Sequence, residues 1–434
     1  MLQAYVRILE DTKMRQSVRR GSSGRVWAFV AGAAVAALVL AGPGTDARAQ
    51  TFNDAIQGAL DNNCPRLGGA GGPQQGTLFT ICGGNGFAAV GAGTSSGASI
   101  ASQALGQQGA DQRRIQRRLE EQRQASREGG VLAASADPTF QLEKLGLFIT
   151  GEGDWVKKDV TRFEPGFSSD AGGVIVGADY RVLPWLTTGL ALSYLGTNGN
   201  FTSNTGHFNT DAFGVTLYGS VTPLPNLFVD GTVGYTLRAY NTVRRASYSN
   251  TVSGNSSDGF VQGESTGNEF RTSIQSGYDF PLGALTVGPR VGVNYSTNDI
   301  DSYAEHNSSP KNLDTGLQLA YDGQHRESLT TTVGVFASYA ISTSFGVLVP
   351  QFTGDWVHEF YDNQRVIYFR FREDLGQTKL RFQTDSPDRN YANLGTGVVL
   401  VLPKGMQVFL SFRALVGYSD RQAYTANGGL RIGF

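Results

Sequence analysis

The sequence predicts an all-β fold: a twelve-stranded antiparallel transmembrane β-barrel formed by residues 145–434. Three observations carry that expectation. Apolar and polar residues alternate in segment after segment, every second connection is tight while the others are mostly long, and an export signal opens the chain.

Composition comes first. Only 17% of the 434 residues are charged, while 57 are Gly, 25 Phe and 17 Tyr. This balance fits long strands with apolar outer faces. The formal net charge of −1 creates no bulk field that would recruit nucleic acid or an anionic membrane surface. Two Cys and 14 Pro exclude a disulfide scaffold and a collagen.

The N-terminus sets the compartment. Arg15, Arg19, Arg20 and Arg25 form a basic region, residues 26–41 are apolar or small, and Ala47-Arg48-Ala49 supplies an A-x-A cleavage site. Residues 1–49 therefore read as a secretory signal peptide, excluded from the fold, with translation starting at Met1 or Met14. An uncleaved anchor is the rival reading, but the run is short for a span of ~20 residues and a cleavage site follows it. Arg19-Arg20 lacks the apolar residues expected after a twin-arginine signal, which points to ordinary export through the Sec translocon. No later stretch has the ~18 consecutive apolar residues of a spanning helix.

From Leu145 onward the chain alternates. In a barrel strand, period two sends apolar side chains to lipid and polar or small ones to the lumen. Val229, Val233, Tyr235 and Leu237 oppose Asp230, Thr232, Gly234, Thr236 and Arg238. Phe270, Ile274, Tyr278 and Phe280 oppose Arg271, Ser273, Gln275, Gly277 and Asp279. Val287, Val291, Val293 and Tyr295 oppose Thr286, Gly288, Arg290 and Asn294. Pattern alone leaves a soluble β-sandwich open, because there too one face is apolar.

Connection lengths decide between the two. Strands are expected at 145–156, 171–182, 185–196, 208–221, 226–240, 268–281, 284–297, 328–341, 344–361, 388–402, 406–417 and 421–434. Every second connection is tight: at Pro184, Pro223-Leu224-Pro225, Leu282-Gly283, Ser342-Thr343 and Pro403-Lys404-Gly405. The others are mostly long and polar, notably 241–267, 298–327 and 362–387. A membrane barrel elaborates only its outer loops, whereas a sandwich has no reason to sort its connections. The strands also exceed the five or six residues usual in soluble sheets.

The chain closes with Tyr424, Ala426, Leu430, Ile432 and Phe434 on one face and Thr425, Asn427 and Arg431 on the other. A terminal aromatic in register with the lipid face resembles the insertion signal read by the barrel-assembly machinery, carried here by Tyr424, Leu430, Ile432 and Phe434.

The segments GLFITGEGDW (146–155), GGVIVGADYRVLPWLTTGLALSYLG (172–196), FGVTLYGSV (213–221), LFVDGTVGYTLRAYNTVRR (227–245), GVLVPQFTGDWVHEF (346–360) and GGLRIGF (428–434), in that order, resemble the autotransporter β-domain. The resemblance covers residues 145–434. It implies a monomeric outer-membrane translocator that passes an N-terminal passenger to the cell surface, with a helix running through the lumen just upstream of the first strand.

Residues 110–128 suit that helix. They contain no Gly or Pro and almost no β-branching. At 1.5 Å per residue they make a rod of ~27 Å, close to the membrane thickness. Arg113, Arg114, Arg117, Arg118 and Arg123 dominate it, and Ile115 and Leu119 are its only large apolar pair. Such a rod fits a polar lumen with Asp179, Asp230, Asp279, Asp355 and Glu359 on the wall; Arg271, Arg290 and Arg413 are the partners expected for Asp355 and Glu359. A solvated helix or basic linker is the bland alternative. Without aromatics and with acids interspersed, the segment makes a poor nucleic-acid footprint.

The remaining organisation is a passenger at 50–109, rich in Gly, Ala and Ser, and a linker at 129–144. No solenoid repeat appears in 50–109, and its glycine content is too high to bury a core. The helical Asn-Asn pair used for self-release in some of the family is absent from 110–128, which puts autocleavage in doubt. Cys64 and Cys82 both lie in the exported part, where an oxidising compartment favours a disulfide closing a small loop, worth ~3 kcal/mol by the chain-entropy model.

No cofactor or catalytic site is expected. Gly93-Thr94-Ser95-Ser96-Gly97 matches the nucleophile-elbow pattern but lies in low-complexity sequence without the strand and helix that motif requires. Asp355, His358 and Glu359 evoke a barrel protease, yet parity sends His358 to the opposite face. The partners expected are outer-membrane lipid, the Sec translocon and the barrel-assembly machinery. A passive pore and an adhesin acting through the long loops are the competing functional readings.

Overall fold

The structure is a computed structural model that describes residues 144–249, 256–308, 317–374 and 377–433. Among them, twelve long antiparallel strands close into a barrel. They are β1 (Leu145–Lys158), β2 (Phe167–Leu183), β3 (Leu186–Phe201), β4 (Gly206–Leu224), β5 (Leu227–Ser249) and β6 (Ser256–Tyr278) in the first half. The second half holds β7 (Leu285–Ile300), β8 (Gln324–Tyr339), β9 (Gly346–Glu359), β10 (Asn390–Val401), β11 (Met406–Val416) and β12 (Arg421–Gly433). Each strand pairs with its sequence neighbour, and β1 pairs with β12 from Gly146↔Gly433 to Lys158↔Arg421, leaving no edge. No described helix is long and apolar enough to cross a membrane; the crossing is made by strands.

The tight turns have a local cause. At the β4–β5 turn Pro225 supplies the fixed φ of a first central position and Asn226 sits at φ 71°, the left-handed value a type II turn needs. After Phe280–Leu282, which prolongs β6, Gly283 takes φ 68° ahead of Ala284, as in a type II′ hairpin.

Alternation sorts the two faces. Leu147, Ile149, Leu190, Leu192, Leu217, Leu237 and Val293 are exposed on the outside, a belt that lipid rather than water must cover. Exposed Trp185, Phe280, Tyr339 and Phe345 ring its short-turn end, and exposed Trp155, Trp356, Phe412 and Tyr424 lie toward the loop end, the aromatic girdles of a membrane barrel. The inward face is buried or half-buried. Its bulky rings sit directly across from glycines: Phe148 opposite Gly177, Phe208 opposite Gly199, Tyr218 opposite Gly189 and Phe409 opposite Gly429. A Cβ on Gly199 would come within 2.1 Å of the Phe208 ring, and one on Gly189 within 2.2 Å of Tyr218. Part of the high glycine content thus seats aromatic rings flat against the inside of the wall.

The long connections differ from their sequence reading as polar loops. Most of 241–267 continues β5 and β6, which are 23 residues each against the ~9–11 a tilted crossing needs, so this hairpin rises well beyond the membrane. Inside 298–327 and 362–387 lie Tyr303–Ala304, Leu319–Tyr321, Val366–Phe371 and Leu380–Gln383, which join into a separate four-stranded sheet. Ile367, Phe369, Phe371, Leu319, Tyr321 and Phe382 are all buried in it. Tyr303 and Tyr321 stack at 4.8 Å, and Phe369 meets Phe382 edge-on at 5.7 Å. His306–Asn307 ties this mouth sheet to the tall hairpin by pairing with Gln262 and Val261.

Candidate functional site in the barrel lumen

The inward face carries a ladder of ion pairs. At the short-turn end Asp179 of β2 accepts from Arg431 of β12 at 3.0 Å, reaching across β1 over Gly146, where a Cβ would lie 2.6 Å from both groups. One level up, Arg290 meets Asp279 at 2.6 Å, its guanidinium 4.6 Å from the Phe228 ring centre and 4.9 Å from that of Phe336. The Ser220 hydroxyl donates to Asp230 at 2.6 Å. Arg271 lies 3.4 Å from Glu269 and donates to Thr236 at 3.0 Å, while Arg238 grips the same Glu269 at 2.5 Å. Near the mouth Arg244 holds Glu305 through two hydrogen bonds of 2.8 and 2.6 Å and also the Leu317 carbonyl.

At the loop end of β1, Lys158 is buried among three carboxylates: Asp385 at 2.6 Å, Asp420 at 3.0 Å and Glu164 at 3.6 Å. Burial alone would lower its pKa. Glu164, Asp385 and Asp420 together outweigh that and hold the ammonium above its ordinary value of 10.5.

The residues expected on the lumen fall as follows. Asp179, Asp230, Arg271, Asp279, Arg290 and Glu359 are buried on the inward face, and Asp355 and Arg413 are half-buried there. Several of these groups also engage residues that the sequence reading did not pair with them. Arg271 and Arg290 go to Glu269 and Asp279 on their own or the neighbouring strand, whereas Glu359 accepts from Ser328 and the backbone amides of Leu329 and Tyr361. Parity gives the face of a charged residue but not its height, and these pairs form between groups at one level. Tyr424 and Leu430 are exposed on the outside and Ile432 is half-buried opposite Leu147. Phe434, the Arg113, Arg114, Arg117, Arg118 and Arg123 helix, Cys64, Cys82, Ala47 and Ala49 lie outside the described residues.

Several charged residues escaped the sequence reading: Lys158, Arg244, Glu269, Glu305 and the mouth arginines Arg326, Arg365 and Arg421. Extending the parity of Arg238 upward would have put Arg244 on the inward face, and that of Arg271 downward would have added Glu269. Glu305 lies between two-residue strands, too short to show a period. His358 packs outward between Trp356 and Phe360 and away from Glu359. Among the described residues no cluster of His, Cys, Asp or Glu could hold a metal.

A closed wall, an apolar outside and a charged inside suit several kinds of membrane barrel. The family model of the autotransporter β-domain matches residues 147–413, more than half of the chain. The chain belongs to the autotransporter β-domain family. That membership places it among outer-membrane translocator barrels, which are monomeric and generally not enzymes. Two curated relatives, both called YaiT, come from Salmonella typhimurium and Escherichia coli; they are 27% and 23% identical over 272 residues, 61% of this chain. The chain spans about a quarter of their length, 24% and 25%. The translocator domain of the autotransporter NalP from Neisseria meningitidis shares the fold, with a TM-score of 0.52 at 15% identity over 75% of this chain and 98% of that one. The β-domain of the Bordetella autotransporter Brka aligns over 67% of this chain and all of its own, at 14% identity and a TM-score of 0.45.

Proposed function

We propose that residues 145–434 are the translocator of an autotransporter and that residues 50–109 are a passenger carried through the lumen to the cell surface. The observation that supports this reading best is the charged inward face itself. A hydrated polypeptide can slide past side chains already paired along the wall, because none of them has to be stripped of a partner as the chain moves. In this reading residues 110–128 remain in the lumen afterwards, with Arg113, Arg117 and Arg118 beside inward acids such as Asp230 and Asp279. Residues 1–49 address the chain to the Sec translocon, and Tyr424, Leu430, Ile432 and Phe434 address it to the barrel-assembly machinery. Cys64 and Cys82 close a loop in the passenger. No catalytic step is assigned to the barrel, since His358 faces away from the nearest carboxylates.

Protease added to intact cells tests the proposal. Residues 50–109 should be cleaved while the 145–434 fragment survives, and full protection of 50–109 until the membrane is broken would refute surface export. The ordered mouth sheet favours one second reading, adhesion through the loops. Cells whose protein lacks 50–109 should keep binding host surfaces under that reading, and loss of binding would refute it.

A further inference from the structure

Three arginines lie at the barrel mouth with no carboxylate in ion-pair contact among the described residues. Arg326 lies near the loop end of β8, Arg421 opens β12, and Arg365 precedes the Val366–Phe371 strand of the mouth sheet. Four strand-to-strand steps separate β8 from β12 along the wall, yet Arg365 and Arg421 both act electrostatically on Arg326. Arg365 is positioned by its backbone, which exchanges hydrogen bonds with Thr384. The guanidinium of Arg421 lies 5.4 Å from the Tyr418 ring centre. The level is above the lipid belt, because the outward neighbours of Arg326 are the exposed His325 and Glu327.

Arg326 is 7% exposed and Arg421 9%. Arg326 Nη1, Arg365 Nη2 and Arg421 Nε are buried and have no hydrogen-bond acceptor among the described residues. The nearby acids are engaged elsewhere. Glu164, Asp385 and Asp420 surround Lys158, and Asp385 also accepts from Thr161. Glu359 holds Ser328 and two backbone amides, and Asp388 holds Ser419. Burial, then the neighbouring Arg365 and Arg421 charges, pull Arg326 down to about 9 against the opposing pull of Tyr418 and Glu359. Burial likewise lowers Arg365, with Glu164 opposing. Like charges held together in a dry site are strongly unfavourable unless an anion joins them.

We propose that Arg326, Arg365 and Arg421 form a binding site for a small oxyanion of the phosphate or sulfate class at the mouth of the barrel. Guanidinium donors from three separate segments suit an anion with oxygens on several sides, and Arg forks match such oxygens in pairs. Occupancy ties β8, β12 and the mouth sheet together at the outer end of the barrel. A phosphorylated lipid headgroup carries the same chemistry, but Arg326 and Arg421 are on the inward face, away from the lipid. Free phosphate is therefore the occupant assigned.

The test uses the full-length protein folded in detergent without lipopolysaccharide. Thermal unfolding is followed with inorganic phosphate, with sulfate and with chloride at matched ionic strength. Phosphate should raise the midpoint saturably and chloride should not. Arg326→Gln and Arg365→Gln should each weaken the apparent phosphate affinity about tenfold or more, as expected for one lost charge-assisted hydrogen bond, and neither should lower the midpoint without phosphate. A wild-type response no larger than that to chloride would overturn the proposal, as would an undiminished response in both variants. A response to lipopolysaccharide-containing vesicles with none to inorganic phosphate would overturn it too, by assigning the arginines to a headgroup.

Discussion

Leu217 in β4 is 59% exposed and Leu319 in the mouth sheet is 0% exposed, although each sits in an antiparallel strand. The wall and the mouth solve the same problem with opposite solvents. In the wall, lipid covers the apolar face, so the protein's own interior is free to be charged: Arg238, Arg271 and Glu269 share it with Asp279 and Arg290. In the mouth there is no lipid, and Leu319, Ile367, Phe369 and Phe382 have to cover one another. Stability in the wall rests on closure and on lipid. Stability in the mouth rests on a small conventional core and on a few buried ion pairs reaching down to the wall.

If that division is right, damage to the mouth core should stay in the mouth. Phe369→Ala removes a ring that touches both Tyr321 and Phe382, and should cost about 3–5 kcal/mol of local stability. Amides of 366–371 should then exchange rapidly while the folded barrel still migrates faster unboiled than boiled. Loss of the compact band together with the mouth would show that the two regions fold as one.

Lys158 sits where they join, since Glu164 and Asp385 come from loops and Asp420 from the turn before β12. Lys158→Met leaves those carboxylates facing one another and should destabilise the protein by about 2–3 kcal/mol, less than a fully buried pair because Asp385 and Asp420 keep some water. The pH dependence follows in sign. The folded pKa of Lys158 is raised, so its contribution is complete below its unfolded value of 10.5 and is lost as pH rises through the folded value. Thermal melts should therefore show an alkaline decline in the wild type that is flatter in the variant. Parallel declines would assign the effect to other groups.

The two regions were also unequally legible. Every wall strand announced itself, because alternation over a dozen residues is a signal that lipid enforces; Val229 against Asp230 and Phe270 against Arg271 kept their faces in the fold. The mouth sheet did not. Its alternation in Val366–Phe371 lasts six residues inside a polar stretch, and Leu319–Tyr321 has three, too few to show a period. The partners of a charge were illegible for another reason. Arg244 finds Glu305 because the 298–327 connection folds against the tall β5–β6 hairpin, which is a fact of tertiary structure and not of spacing. The same holds for Arg326 and Arg421, which lie on strands four steps apart and yet influence each other electrostatically.

Inside the wall, the glycine seats give a sharper probe than the charges. Gly199→Val would push a branched side chain into the Phe208 ring, whose packing against Phe167 and Phe201 leaves it no room to withdraw. The expected cost is about 1–3 kcal/mol, seen as a lower urea midpoint with the compact band retained. Gly199→Val combined with Phe208→Ala should recover part of the loss, since the branched side chain then occupies the space of the ring. No recovery would mean that the valine disturbs the strand itself rather than the ring.

The smallest effect should come from the residue that opened the comparison. Leu217→Ala in the wall removes the same atoms as Leu319→Ala in the mouth, but only the second leaves a hole. Lipid chains are fluid and close over a shortened side chain, so the wall variant loses the transfer term alone, about 1–2 kcal/mol. The mouth variant loses that and the cavity term, for a total of about 2–5 kcal/mol. Unfolding in urea from lipid vesicles should separate them if probes report each region on its own: tryptophan emission for the wall and amide exchange for the mouth. Equal losses at the two sites would mean that Leu217 is packed against protein or ordered lipid, and the contrast between a lipid-solvated wall and a self-packed mouth would fail at its simplest point.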